Sequence, residues 1–308
     1  MSRGFVLILL FAMSCRGIAD PLPPPQVVKI NERVYALIGP NELPDQKNQG
    51  YIVNSAIIIG DKGVIIVDTG FTKAVGAHLM KAAAKITPKP ITHIINTHDH
   101  GDHFLGNGAF PKAEIWSSAR CKESVSQHGY EALALVENFT KLKFPDTKPI
   151  PATFVFNENT RTEKTIHGVR MLFWVPKGSH TPSDLVVYLP DDRVLIGGDI
   201  VVSGVVPNFR DASVKTWVET LHAMQGLDFI IAIPGHGALM TKDEVATLYK
   251  NMATLYSGIE AGFKKGLNDS ETRKTLDLSA WQKLRRYDEL IGPNINRAYL
   301  EIEAASFN

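Results

Sequence analysis

The run Thr97-His98-Asp99-His100-Gly101-Asp102-His103 places three histidines and two carboxylates within seven residues. Three more residues of the same types stand far downstream, each among small neighbours: Gly178-Ser179-His180-Thr181-Pro182, Gly197-Gly198-Asp199 and Pro234-Gly235-His236-Gly237. Imidazole nitrogen and carboxylate oxygen are the donor set that suits zinc. Two separated clusters of such donors point to a metal centre assembled between two halves of a fold, and so to an enzyme. A His-x-His spacing after a strand puts both rings on one side of an extended or turning segment. Asp102 and His103 can then face a second ion, with Gly101 permitting the tight backbone this needs. Hydrolysis is the chemistry such a centre favours, because a bound cation brings the pKa of water toward ~7. No Ser-His-Asp or Cys-His pattern competes, and Gly60-Asp61-Lys62-Gly63 lacks the spacing of a phosphate-cradling loop.

The elements that must position these residues fall into two halves of similar content. In the first, Val27 to Ile30, Val34 to Ile38, Tyr51 to Ile59 and Val64 to Val67 read as strands, with a hairpin turn around Asp61-Lys62-Gly63. Thr72 to Ile86 reads as a helix, ended by Pro88 and Pro90, and Ile91 to Asn96 as the strand that delivers the histidine run. The second half opens with strands at Phe154-Val155-Phe156, Arg161 to Ile166 and Val169 to Val175. It continues with Leu185 to Leu189 and Val194 to Ile196 around the turn Pro190-Asp191-Asp192. Ser213 to Met224 reads as a helix N-capped by Ser213, and Phe229 to Ile233 as the strand leading to His236. Thr241-x-x-Glu244 is a capping box opening a long helix, and the tail after Ser270 is mostly helical. Strands with single crossover helices indicate a layered α/β or α+β fold. Every proposed donor falls just past a strand end, where rigid scaffolds place functional loops.

With Val67-Asp68-Thr69-Gly70, the histidine run and the loops at His180, Asp199 and His236, the stretch from Val27 to Met240 resembles the metallo-β-lactamase-fold superfamily of hydrolases. The resemblance implies an αββα sandwich with the metals at one edge and a helical C-terminal extension from about residue 241. It also implies two zinc ions: one on His98, His100 and His180, the other on Asp102, His103 and His236, bridged by Asp199 and a hydroxide. Two divalent ions against two carboxylates and one hydroxide leave about one positive charge for an electron-rich carbonyl. Asp102 is then the residue to orient the nucleophile and shuttle its proton, and Asp68 the one to orient a ligand histidine. True β-lactamases usually carry cysteine or serine where Asp199 stands, whereas Asp199 looks like the glyoxalase II and lactonase branches. Asp199 together with Asn294-Ile295-Asn296-Arg297-Ala298-Tyr299-Leu300-Glu301 is similar to the periplasmic zinc metallohydrolases of quinoprotein relay systems and to sulfur-oxidation-associated hydrolases. The tail does not look like the glutathione-gripping segment of glyoxalase II. Three other readings stand beside the dinuclear hydrolase. One is a persulfide dioxygenase with one iron on His98, His180 and Asp199. The others are a β-lactam hydrolase, and a periplasmic accessory protein that retains the site.

Substrate contacts are expected from Pro40 to Gln49 and from Gly204 to Asp211, with Asn208 and Arg210 the residues to meet a small-molecule substrate; a guanidinium suits a carboxylate, and a solvated surface arginine is an equal alternative. His78, His93, His128, His167 and His222 lie outside the motifs and read as structural or solvated, and Asp99 and Asp184 either support the metal ligands or are merely polar loop residues. The 308 residues, 44% hydrophobic, suffice for a buried core. With 33 basic against 32 acidic residues and no basic block, nothing supports a nucleic-acid partner. Arg3, the apolar stretch Phe5 to Met13 and Gly17-Ile18-Ala19 form an export signal cleaved after Ala19, too short for a membrane span. Lipid attachment at Cys15 is disfavoured by the poor lipobox Ala12-Met13-Ser14. Residues 20–26 are a proline-rich tether, and 27–308 form the periplasmic hydrolase domain. Once the signal is removed Cys121 stands alone, a small buried residue on a helix.

Overall fold

In the computed structural model, which describes residues 22–307, two β-sheets are stacked between layers of helices. The signal segment, its cleavage point after Ala19 and Cys15 lie outside these residues. The first sheet runs, in spatial order, β1 (Gln26–Lys29), β2 (Val34–Ile38), β3 (Ser55–Ile59), β4 (Val64–Val67), β5 (Ile91–Ile95), β6 (Glu114–Ser118) and β7 (Phe154–Phe156). The second comprises β8 (Thr160–Ile166), β9 (Val169–Val175), β10 (Val186–Leu189), β11 (Val194–Val202), β12 (Ile231–His236) and β13 (Met240–Thr241), again in spatial order. The helices are α1 (Lys73–Ile86), α2 (Gly101–Phe104), α3 (Ala119–Thr140), α4 (Val214–Met224), α5 (Lys242–Lys264), α6 (Asp269–Thr275) and α7 (Tyr287–Ser306).

The period-2 geometry of strands explains the layering. All four residues of β4 are buried. Ile65 and Val67 face the second sheet, packing with Met171, Phe173, Val187 and Ile196, while Val64 and Ile66 face Val75, Leu79 and Ala83 of α1. The far face of the second sheet, with Val186, Leu195 and Ala232, is covered by Trp217 and Leu221 of α4, Val245 and Met252 of α5, and Ile291 and Ile295 of α7. This is the αββα sandwich with its helical C-terminal part.

The differences from the expected elements have local causes. Tyr51 to Val53 do not join β3, because Asn54 turns away to bond the carbonyls of Pro234 (2.9 Å) and Gly237 (2.8 Å) beside His236. Phe154–Phe156 does not open the second sheet; it pairs in parallel with β6 and closes the first. β6 carries no clear sequence signal, and of α3 only Cys121 is expected on a helix. β6 owes its strand state to its place between β5 and β7. The Thr241–Glu244 capping box forms as expected. Ser213 occupies the N-cap of α4, but its side chain makes no capping bond. Glu301 of α7 does that work, accepting from the amides of Val214 (2.7 Å) and Lys215 (3.0 Å). Cys121 lies buried on α3, a free thiol. Among the described residues no helix is long and apolar enough to cross a membrane.

Candidate metal centre

β5 delivers the histidine run at its C-terminal end. His98 and Asp99 lie in the loop, His100 is the N-cap of α2, and Asp102 and His103 lie on that single turn. Gly101 is helical with no left-handed φ. A Cβ there would come 2.7 Å from the Phe71 ring, so close packing rather than backbone freedom selects glycine. His180 follows β9 in a loop. Asp199, expected past a strand end, lies inside β11, and His236 is the last residue of β12. β11 runs past Ile196 through a register shift at Gly198, which has φ +51° and seats its backbone against Thr97. A Cβ on Gly235 would fall 1.9 Å from Asp199 Oδ1, so glycine there is what lets the carboxylate lie against β12.

These segments bring all seven residues together. Donor atoms of His98, His100, His180 and Asp199 lie within 4.8 Å of one another, as do those of Asp102, His103 and His236. His180 Nε2 is 3.1 Å from His100 Nδ1 and 3.5 Å from Asp199 Oδ2. His236 Nε2 is 3.1 Å from Asp102 Oδ2 and 3.5 Å from Asp199 Oδ2, and His103 Nε2 is 3.5 Å from Asp199 Oδ1. Asp199 therefore touches both groups. His98 Nε2, His103 Nε2 and Asp199 Oδ1 are buried without a hydrogen-bond partner. Orphaned buried polar atoms are costly, and converging ones are what a cation satisfies, so this donor set fits a divalent metal.

Electrostatics divides the rings, and within the first group Asp211 raises His100 against its burial while the other two are held down. Burial holds the His98 imidazole well below its ordinary range and pushes His180 down to about 3, so both are neutral and ready to ligate. Burial acts the same way on His103, but the charges of Asp68, Asp102 and Asp199 overcome it and lift the ring to about 9. His236 is raised well above its ordinary value against burial by Asp199 and Asp102. In turn, histidine charges hold Asp102 and Asp199 below the usual carboxylate range despite burial. A cation in the second group must displace these protons.

The far nitrogens of the rings are fixed by the surroundings. His103 Nδ1 is 2.8 Å from Asp68 Oδ2, His236 Nδ1 is 3.0 Å from the Ile52 carbonyl, and His98 Nδ1 is 3.1 Å from Thr97 Oγ1. Asp68 also accepts from the Thr97 amide and hydroxyl, both at 2.8 Å, and it is a buried non-glycine residue at φ +60°. Such strain persists where a site demands it. His180 Nδ1 has no partner, and its ring packs edge-on against Trp217 at 5.2 Å.

Sequence reasoning missed Asp211, whose Oδ2 lies 3.0 Å from His100 Nε2 across 111 residues of chain. No local signal marks it. Replacing Asp211 with alanine is expected to free the His100 ring and weaken metal binding about tenfold. Titration against a chromophoric chelator measures this, and unchanged affinity would show that His100 needs no such support. Arg210 lines the same cleft with its Nε on Asp211 at 2.9 Å, so its guanidinium is already paired. Asn208 also lines the cleft, and its side chain accepts from the Arg210 amide (3.1 Å). This loop is clamped by α7. Asn294 accepts from the Phe209 amide (3.0 Å) and donates to the Pro207 carbonyl (2.7 Å), while Arg297 donates to the Ala212 carbonyl (2.6 Å). The tail singled out in the sequence thus positions the wall of the site. Asp99 ties the histidine loop to its neighbours by accepting from Ser183 (2.6 Å) and Ser124. Asp184 is buried, pushed up to about 7 by that burial, and takes the Thr181 amide at 2.9 Å, bracing the His180 loop. Of the remaining histidines, His78 meets the Pro23 carbonyl at 3.1 Å, His93 and His167 share Thr92, and His222 packs on Tyr249. His128 is exposed on α3 beside Glu131.

Residues 48–236 match the family model of the metallo-beta-lactamase superfamily. The chain is 28% identical over 197 residues to a metallo-beta-lactamase type 2 of Bacillus sp. (strain 170), covering 61% of this chain and 68% of that protein. It is 28% identical over 218 residues to a linear primary-alkylsulfatase of Pseudomonas sp. (strain ATCC 19151), where it spans 59% of this chain and only 40% of the relative. In fold it is similar to a metallo-beta-lactamase from Pontibacter korlensis, with TM-score 0.61 and 19% identity, covering 74% of this chain and 99% of the other. It also matches the sec-alkylsulfatase Pisa1 from Pseudomonas sp., with TM-score 0.67 and 19% identity, covering 92% of this chain and 52% of that one.

Proposed function

Given that this chain belongs to the metallo-beta-lactamase superfamily, we propose that it is an exported dinuclear zinc hydrolase that cleaves a small ester, thioester, lactone or amide. The observation that carries two ions rather than one is Asp199. Its Oδ1 lies 3.5 Å from His103 and its Oδ2 3.5 Å from both His180 and His236, so one carboxylate serves both donor groups. His98, His100 and His180 would hold one ion, Asp102, His103 and His236 the other. Two such ions supply a water molecule that ionises near neutral pH and a polarised carbonyl.

The chain's own groups do the rest. Asp68, Asp211 and the Ile52 carbonyl fix which ring nitrogen of His103, His100 and His236 faces inward. The carboxylate of Asp102, beside His236, is placed to accept the nucleophile's proton and pass it toward the leaving group. An aspartate at 199 separates this centre from the cysteine or serine sites of true β-lactamases. The relatives named above widen the ester class to be tried to alkyl sulfates. The N-terminal segment supports export, and the Asn294 to Glu301 tail supports a place among the periplasmic relay-system hydrolases.

The test is the metal content of the purified mature chain, grown without added metal. Two zinc ions per chain are expected, with both lost to a strong chelator and activity restored by zinc. One iron per chain would overturn the dinuclear reading and move the chemistry to persulfide and oxygen.

A further inference from the structure

The metal cluster opens into a cleft of about 750 Å³, within the range of small-ligand sites. One wall is α3. Val125, His128, Ala132, Leu135 and Phe139 all line it, at successive spacings of three and four, and so share one helix face. At 1.5 Å per residue that face runs about 21 Å. Part of the helix is satisfied by its own core, where Cys121, Val125 and Val136 pack with Phe71 and Phe104. Leu135 and Phe139 are not so covered: they are 41% and 46% exposed, and across the cleft mouth Leu43 is 46% exposed. Thus three of the nine large hydrophobic side chains exposed among the described residues gather at one opening. The floor toward the donors is Ile52, Phe71 and Phe104, all buried. His100, Asp102, Asp199 and His236 border this same space.

We propose that the substrate is an amphiphile: its scissile carbonyl sits at the metal donors and its alkyl or aryl chain lies along the Val125–Phe139 face of α3. This rests on the hydrolytic reading of the centre and names the substrate class for it. Apolar surface left in water around a catalytic opening is a cost that a chain-bearing ligand removes. A short polar acyl group would leave Leu135, Phe139 and Leu43 wet.

The zinc-loaded chain is assayed with p-nitrophenyl esters from acetate to decanoate, and binding of acetate and decanoate is measured by calorimetry. In the wild type kcat/KM is expected to rise about threefold per added methylene until the face is covered. In the double variant Leu135→Asn, Phe139→Asn the decanoyl-to-acetyl ratio is expected to fall more than tenfold, with decanoate binding weakened in parallel. Ester turnover that is flat with chain length overturns the proposal and leaves the hydrolase reading standing. No ester turnover, with decanoate bound by the wild type and lost in the variant, removes the hydrolase reading and supports the cleft. A wild-type dimer made monomeric by the double variant, with chain-length preference unchanged, assigns the face to a second copy of the chain and overturns the proposal.

Discussion

Asp199→Ala is expected to lower kcat/KM about a thousandfold or more and to release at least one metal ion. The carboxylate lies within 3.5 Å of His103, His180 and His236, and so serves both donor groups. Without it the second group keeps only Asp102, His103 and His236, and the first keeps only the rings of His98, His100 and His180. Lewis-acid stabilisation worth several kcal/mol is then lost, and each ~1.4 kcal/mol is a factor of ten. Metal analysis after gel filtration should show the stoichiometry fall in step with rate. Gly235→Ala should act alike with every ligand residue intact, since its Cβ would fall 1.9 Å from Asp199 Oδ1. An Asp199→Ala enzyme with full activity and full metal content would end the assignment.

Asp68→Asn should be nearly as damaging, although Asp68 touches no metal donor site directly. The wild-type carboxylate accepts a hydrogen bond from His103 Nδ1–H at 2.8 Å, which leaves Nε2 to offer its lone pair to a cation. An amide turned to keep the bond from the Thr97 N–H would present its own N–H to that ring and to the Thr97 hydroxyl. Nδ1 must then accept, the proton moves to Nε2, and His103 can no longer ligate. Metal affinity is expected to fall about 10- to 100-fold, with the second ion lost first. Asp68→Ala would add the penalty for a broken buried pair, about 3–5 kcal/mol, read from chemical denaturation. Unchanged affinity in Asp68→Asn would remove Asp68 from the site.

The same pair predicts how the chelated protein responds to pH. Its folded-state His103 is raised to about 9 from an ordinary 6.5 by Asp68, Asp102 and Asp199, against burial. The folded state therefore holds a proton the unfolded chain has lost across that window. The contribution is complete below about 6.5 and fades as pH rises through 9. Melts of chelated wild type should lose stability over this range more steeply than those of chelated Asp68→Asn. Equal slopes would mean that Asp68 does not set the His103 charge.

What could be read from the sequence were features whose cause is local. Strand period, the capping box at Thr241, and the donor residues in their glycine-rich settings each depend on neighbours a few residues away. The αββα layering follows from the all-buried pattern of strands such as β4 once helices are known to alternate with them. What only the tertiary structure decided are contacts between residues far apart in the chain. His100 meets Asp211 over 111 residues, Asn54 meets the His236 loop over 180, and Glu301 takes over the capping of α4 over 87. A side chain's partner at that range is set by sheet order and helix docking, and no spacing rule encodes it. The apolar face of α3 was hidden for a related reason. Along one stripe of the helix Cys121 and Val125 are buried while Leu135 and Phe139 stay exposed, and no spacing rule marks where the burial stops. One apolar stripe that packs a core over part of its length and borders a cleft over the rest reads the same in sequence throughout, and only the fold shows which part still wants a partner.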